Sequence, residues 1–142
     1  MRLVRRLLIL ATACYWLLIF TLTHIPPNHM PHVPASDKLE HFCAYMGLCF
    51  LLGATLWLVW PARRRVLPLV VIGAAMAYGA FDEISQIPVG RDCELNDWFA
   101  DVGGAAAAGA ALYAAQVYVA RRARSRAAAS AASDTPLAIE SA

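Results

Sequence analysis

The sequence predicts an all-α integral membrane protein, a four-helix transmembrane bundle with both termini in the cytoplasm (N-in/C-in). Three observations predict it: an excess of apolar residues, four apolar runs without charge, and arginines concentrated on one side. Of 142 residues, 60% are hydrophobic and 15% charged, against about 45–50% and about 25% in soluble domains. A chain of one-domain size cannot bury that excess in its own core, and a bilayer is the simplest sink for it. The net charge of +2 hides the asymmetry that sets orientation.

The runs are Leu7–Thr23, Phe42–Trp60, Val66–Phe81 and Val102–Ala120. About 20 apolar residues cross a hydrocarbon core, and about 17 suffice. The third run reaches that length only by continuing through Asp82, Glu83 and Gln86 to Ile87. The predicted helices occupy about 7–25, 39–60, 66–87 and 98–120, within a membrane domain of residues 7–120. Residues 1–6 form a basic cytoplasmic N-terminus, and 121–142 a basic, then Ala/Ser-rich, disordered cytoplasmic tail. Ile25–Pro34 holds four prolines and reads as an extended outer loop.

Arg2, Arg5, Arg6, Arg63, Arg64, Arg65, Arg121, Arg122, Arg124 and Arg126 flank the spans on one side, leaving Lys38 and Arg91 on the other. Positive residues in short connections mark the cytoplasmic face. The location expected is therefore the bacterial inner membrane, multi-pass. The first run exceeds the 7–15 residues of a signal-peptide core, so it is expected to stay as a helix. The basic flanks are explained by topology, and nucleic-acid binding is not expected. Cys14, Cys43, Cys49 and Cys93 show no CxxC spacing, so neither a zinc site nor a redox pair is indicated.

Polar residues gather at the opposite, outer end. Asp37, Lys38, His41 and Tyr45 open the second helix, with Lys38, His41 and Tyr45 spaced to share one face. Asp82, Glu83 and Gln86 close the third, and a helix from Val66 has risen roughly 24 Å at Asp82, still inside a ~30 Å core. Arg91, Asp97 and Asp101 lead into the fourth. Ionisable groups at such depth are costly and face a protein interior or a wet cavity. The expected partners of the buried acids are Lys38, Arg91 and His41. Glu40, Asp92 and Glu94 read as solvated charges, and His24, His29 and His32 as incidental loop residues. Gly79, Gly103 and Gly104, with many alanines, suit close packing in lipid, and the third and fourth helices read as a tight central pair.

Asp37-Lys38-x-x-His41-x-x-x-Tyr45 resembles the first signature of the VanZ-like membrane proteins. Asp82-Glu83-x-x-Gln86, then Arg91, then Asp97-x-x-x-Asp101-x-x-Gly104 resembles the second. The resemblance covers about Leu7 to Tyr118 and departs at Asp101, where many relatives carry Asn. It implies an inner-membrane protein of a group named for a teicoplanin-resistance determinant, and hence a cell-envelope context without a defined reaction. The leading expectation is an envelope factor that binds an amphipathic or lipid-linked ligand in a groove beside Asp82, with Arg91, Lys38 and the acidic layer at its head group. A membrane-embedded hydrolase or transferase using His41, Asp82 and Glu83 is the alternative. A proton-coupled carrier built on Asp82 and Asp101 is the third. No cofactor is indicated; the bilayer is the expected partner, and homo-oligomerisation is left open.

Overall fold

The computed structural model describes residues 2–26 and 37–133, with side chains to residue 130. Those residues form four α-helices: α1 (Arg2–Thr23), α2 (Asp37–Val59), α3 (Leu67–Gln86) and α4 (Leu95–Ser133). All four are long and apolar enough to cross a membrane. His29, His32 and the end of the C-terminal tail lie outside the described residues. The helices run past the predicted limits at the arginine end. Arg2, Arg5 and Arg6 already belong to α1, and α4 carries Arg121 to Arg126 on helical backbone as far as Ser133. Alanine and arginine are among the strongest helix formers, so a stretch composed of them continues a helix already begun.

Proline and glycine make the short connections. A 3₁₀ segment, Pro61–Val66, starts on a proline and hands over to α3, whose Pro68 occupies the first turn where no backbone donor is needed. After α3 a second 3₁₀ turn, Ile87–Val89, ends on Gly90. Gly90 has φ +79°, a left-handed conformation that glycine adopts without strain. That turn reverses the chain and brings Arg91 to Glu94 back over the end of α3.

The most extensive interface is α2 with α4, followed by α3 with α4. This corrects the expectation of an α3–α4 central pair. The reason lies at Gly104, where any Cβ would collide with the Phe42 carbonyl oxygen and stand 2.9 Å from the Met46 nitrogen. Backbone therefore meets backbone across α2–α4. Gly53 repeats the device further along α2, where its bare Cα receives Leu112. Gly103 faces the Phe42 ring, and Gly79 faces the side chains of Asp101 and Trp98. The core between these helices is Tyr45, Cys49, Val71, Ala75, Ala105 and Ala108.

α1 is peripheral. It packs on α2, touches α3 lightly and does not reach α4. It buries Thr12 and Ile19, and Thr12 shares a 2.8 Å hydroxyl hydrogen bond with Thr55 of α2. Large apolar side chains cover the outside of the bundle; Leu69 is 73% exposed and Leu17 66%. At the arginine end, the Arg64 guanidinium lies over the Trp57 ring at 4.8 Å and Gln116 donates to the Arg64 carbonyl at 2.6 Å.

Candidate functional site

Four carboxylates are buried at the end of the bundle opposite the arginine clusters of α1, the α2–α3 connection and α4. Asp82 and Asp101 are fully buried, Glu83 and Asp97 nearly so. Three helices bring them together because each polar cluster sits one or two turns inside the same end. α2 supplies Lys38, His41 and Tyr45, α3 supplies Asp82, Glu83 and Gln86, and α4 supplies Asp97 and Asp101.

The one-turn spacings organise two neighbouring contacts between α2 and α4. Lys38 Nζ lies 2.9 Å from Asp97 Oδ1 and 2.8 Å from Glu94 Oε2, with Asp37 at 3.8 Å. One turn deeper, His41 Nδ1 lies 2.9 Å from Asp101 Oδ1, and His41 Nε2 lies 4.0 Å from Asp97 Oδ2. At 2.9 Å an ionised Asp101 accepts a hydrogen bond from Nδ1. Glu83 completes the group: its Oε2 accepts the Glu94 backbone N–H at 2.9 Å. Donor atoms of His41, Glu83 and Asp101 all lie within 4.8 Å of one another. Tyr45, one turn below His41, is fully buried, stacks on Tyr78 and leaves its hydroxyl without a hydrogen-bond partner among the described residues.

Asp82 is solvated by different groups from those expected. Thr23 donates to its Oδ1 at 3.2 Å, Tyr78 at 3.4 Å, and Gln86 donates to Oδ2 at 3.3 Å. His24 Nδ1 stands 4.0 Å from Oδ1, and His24 Nε2 lies 3.0 Å from the Ser85 hydroxyl. The expectation that Lys38, Arg91 and His41 serve all the buried acids is thus corrected: the end of α1 partners Asp82 through the Thr23 hydroxyl, with His24 just beyond it on Ser85 and the Phe20 carbonyl. His24 had read as an incidental loop residue. The depth reckoning that puts Asp101 beside His41 also puts the end of α1 level with Asp82, and that was the available signal. Glu94 is exposed, as a solvated charge should be, and in addition its side chain pairs with Lys38 and its backbone N–H donates to Glu83.

A cavity of about 350 Å³ opens beside this layer, between α1 and α2. Tyr15, Ile19 and Leu22 form its apolar wall, and Asp37, Glu40, His41 and Arg91 its polar wall. Tyr45 reaches it as well, whereas Asp82, Glu83 and Asp101 stand behind that lining. Arg91 has no ion-pair partner among the described residues, although it borders the cavity. Cys43 lines the wall and is a free thiol.

Fold and site define a class, a bundle of four helices of membrane-crossing length with an ionisable layer buried at one end and an amphipathic cavity beside it. Comparison with family models, with curated proteins and with solved structures gives no match for this chain.

Proposed function

We propose that the chain is a four-span inner-membrane protein, both termini cytoplasmic, that binds an amphipathic or lipid-linked envelope ligand in the cavity between α1 and α2. The observation that carries this reading is the division of the cavity wall, with an apolar flank from α1 and a charged flank at the polar end. Pockets that take small ligands are mostly apolar with a few placed polar groups. The Arg91 guanidinium, without an ion-pair partner among the described residues, suits an anionic head group, since arginine offers a rigid fork of donors to phosphate or carboxylate. The topology follows from the arginine distribution. The resemblance to the VanZ-like proteins supplies the envelope context, of the glycopeptide-tolerance type.

The test is teicoplanin susceptibility of a sensitive host expressing wild type, Arg91→Ala or His41→Ala at matched membrane levels. Wild type should raise tolerance and both variants should lose it; equal susceptibility in all strains would sink the envelope reading. An impermeant maleimide should label Cys93 from outside intact spheroplasts, and failure to do so would overturn the topology.

A hydrolase or transferase using His41, Asp82 and Glu83 draws less support, because only His41 of the three lines the cavity. A proton-coupled carrier is weaker again, because Asp82 and Asp101 both sit at one end of the bundle.

A further inference from the structure

The buried layer carries more negative charge than its partners answer. Asp82, Glu83, Asp97 and Asp101 are each at most 5% exposed. Of these, the Lys38 ammonium reaches only Asp97, and Arg91 reaches none. An uncompensated carboxylate in an apolar interior costs far more than a typical bundle can absorb, so it must be neutralised, paired or bound to a cation. Two further atoms point the same way. Asp101 Oδ2 and the Tyr45 hydroxyl belong to fully buried side chains, and neither finds a hydrogen-bond partner among the described residues. Buried polar groups are almost always satisfied, and an orphaned one signals an ion or water that belongs there.

We propose that His41, Glu83 and Asp101 bind a divalent transition-metal ion of the manganese-to-zinc range. The donor set selects that range. One imidazole nitrogen disfavours magnesium and calcium, which take oxygen ligands, and the lack of a thiolate in the group disfavours the soft ions. The donors lie within 4.8 Å of one another. Metal–ligand bonds of about 2.0–2.2 Å bring such donors to roughly 3–3.5 Å apart, so side-chain rotation of the order of 1 Å closes the group. His41 Nδ1 and Asp101 Oδ1, at 2.9 Å, already stand at the separation of neighbouring ligands. With Nδ1 on the ion, the Nε2 hydrogen faces Asp97 Oδ2 at 4.0 Å, and Lys38 holds Asp97 from the other side. At 4.0 Å no hydrogen bond is made, and a ring shift of about 1 Å would form the carboxylate–histidine–metal relay by which proteins orient a ligating imidazole. The cavity wall formed by His41 and Tyr45 gives the ion a way in. The site stands whether or not the cavity holds an amphiphile.

The experiment uses full-length protein in detergent, stripped with EDTA, incubated with MnCl₂ or ZnCl₂ and desalted before elemental mass spectrometry. Wild type and the exposed-acid control Asp92→Asn should hold about one ion per chain, while Glu83→Gln and Asp101→Asn fall to about a tenth of that or less. Added Mn²⁺ should raise the melting midpoint of wild type and leave those two variants unmoved, which separates lost binding from lost folding. Electron paramagnetic resonance of the Mn²⁺ form should show nitrogen coupling that His41→Gln abolishes. Wild type without stoichiometric metal, variants that keep it, or Mn²⁺ spectra without nitrogen coupling would each overturn the proposal. Should the variants aggregate, the wild-type melting shift and nitrogen coupling decide alone. No amphiphile enters the assay, so its outcome is independent of the ligand-binding reading.

Discussion

Alanine at position 104 should open the α2–α4 interface. Its methyl carbon would collide with the Phe42 carbonyl oxygen and stand 2.9 Å from the Met46 nitrogen and 3.0 Å from the Phe42 carbonyl carbon. All three obstacles are backbone, so no rotamer change relieves them, and the two helices must part by roughly 1 Å. Overpacking costs about 1–3 kcal/mol, and a backbone obstacle belongs at the upper end. The higher helix propensity of alanine returns about 1 kcal/mol, leaving a net loss of about 2 kcal/mol. Gly73 supplies the contrast, because nothing lies within 4 Å of a Cβ there. Gly73→Ala keeps only the propensity gain of about 1 kcal/mol. Gly103→Ala meets the Phe42 ring at 3.4 Å, an ordinary contact, and should fall between them. The assay is unfolding of the three variants in a graded SDS titration, read by circular dichroism. A Gly104→Ala protein stabilised as much as Gly73→Ala would refute the close-approach argument, since even the low end of the overpacking range, about 1 kcal/mol, cancels the propensity gain.

Further outcomes follow from other contacts. Thr12→Val and Thr55→Val, combined in a double-mutant cycle, should reveal a coupling of about 0.6 kcal/mol and no more than about 1.7, the range for hydrogen bonds between membrane helices; additive losses would mean the 2.8 Å contact contributes nothing. Gly90→Ala forces a side chain to φ +79° and should cost about 1 kcal/mol, seen as an earlier SDS midpoint. Gly79→Ala places a methyl group 3.0 Å from Asp101 Oδ2 and 3.2 Å from the Trp98 ring. It should shift Trp98 fluorescence, measured with the other tryptophans replaced, and an unmoved spectrum would mean α3 and α4 yield elsewhere.

The four helices were legible because membrane-length apolar runs announce themselves residue by residue, whatever packs against them. The polar end was legible for a related reason. Helical rise assigns a depth to each charge, so His41, Asp82 and Asp101 could be ranked at one level before any fold was known. Lateral placement was not legible. Nothing in the run Leu7–Thr23 says that α1 lies against α2 and delivers Thr23 to Asp82. The small-residue stripes of α3 and α4 suggested a mutual pair, but the glycines most closely approached, Gly104 and Gly53, both lie at the α2–α4 contact. A glycine reports that something comes close, and only the fold reports what. Glu94 is solvent-exposed as its position suggests, but its contacts with Lys38 and Glu83 were not legible, because they depend on the Gly90 turn folding it back over α3.

The dominance of the α2–α4 interface bears on how the protein is made. Helices leave the ribosome in chain order, so α3, with Asp82 and Glu83, emerges before α4 and Asp101 are free to pack against it. Until α4 emerges, His41 has no carboxylate partner from that helix, and α2 presents bare backbone at Phe42 and Met46. The three-helix precursor thus holds Asp82 and Glu83 without their α4 neighbours, an intermediate exposing groups that the finished fold buries. Of the four, the final helix out is the one that locks the assembly, and a chain truncated before Leu95 lacks the helix that covers the α2 backbone at Phe42 and Met46.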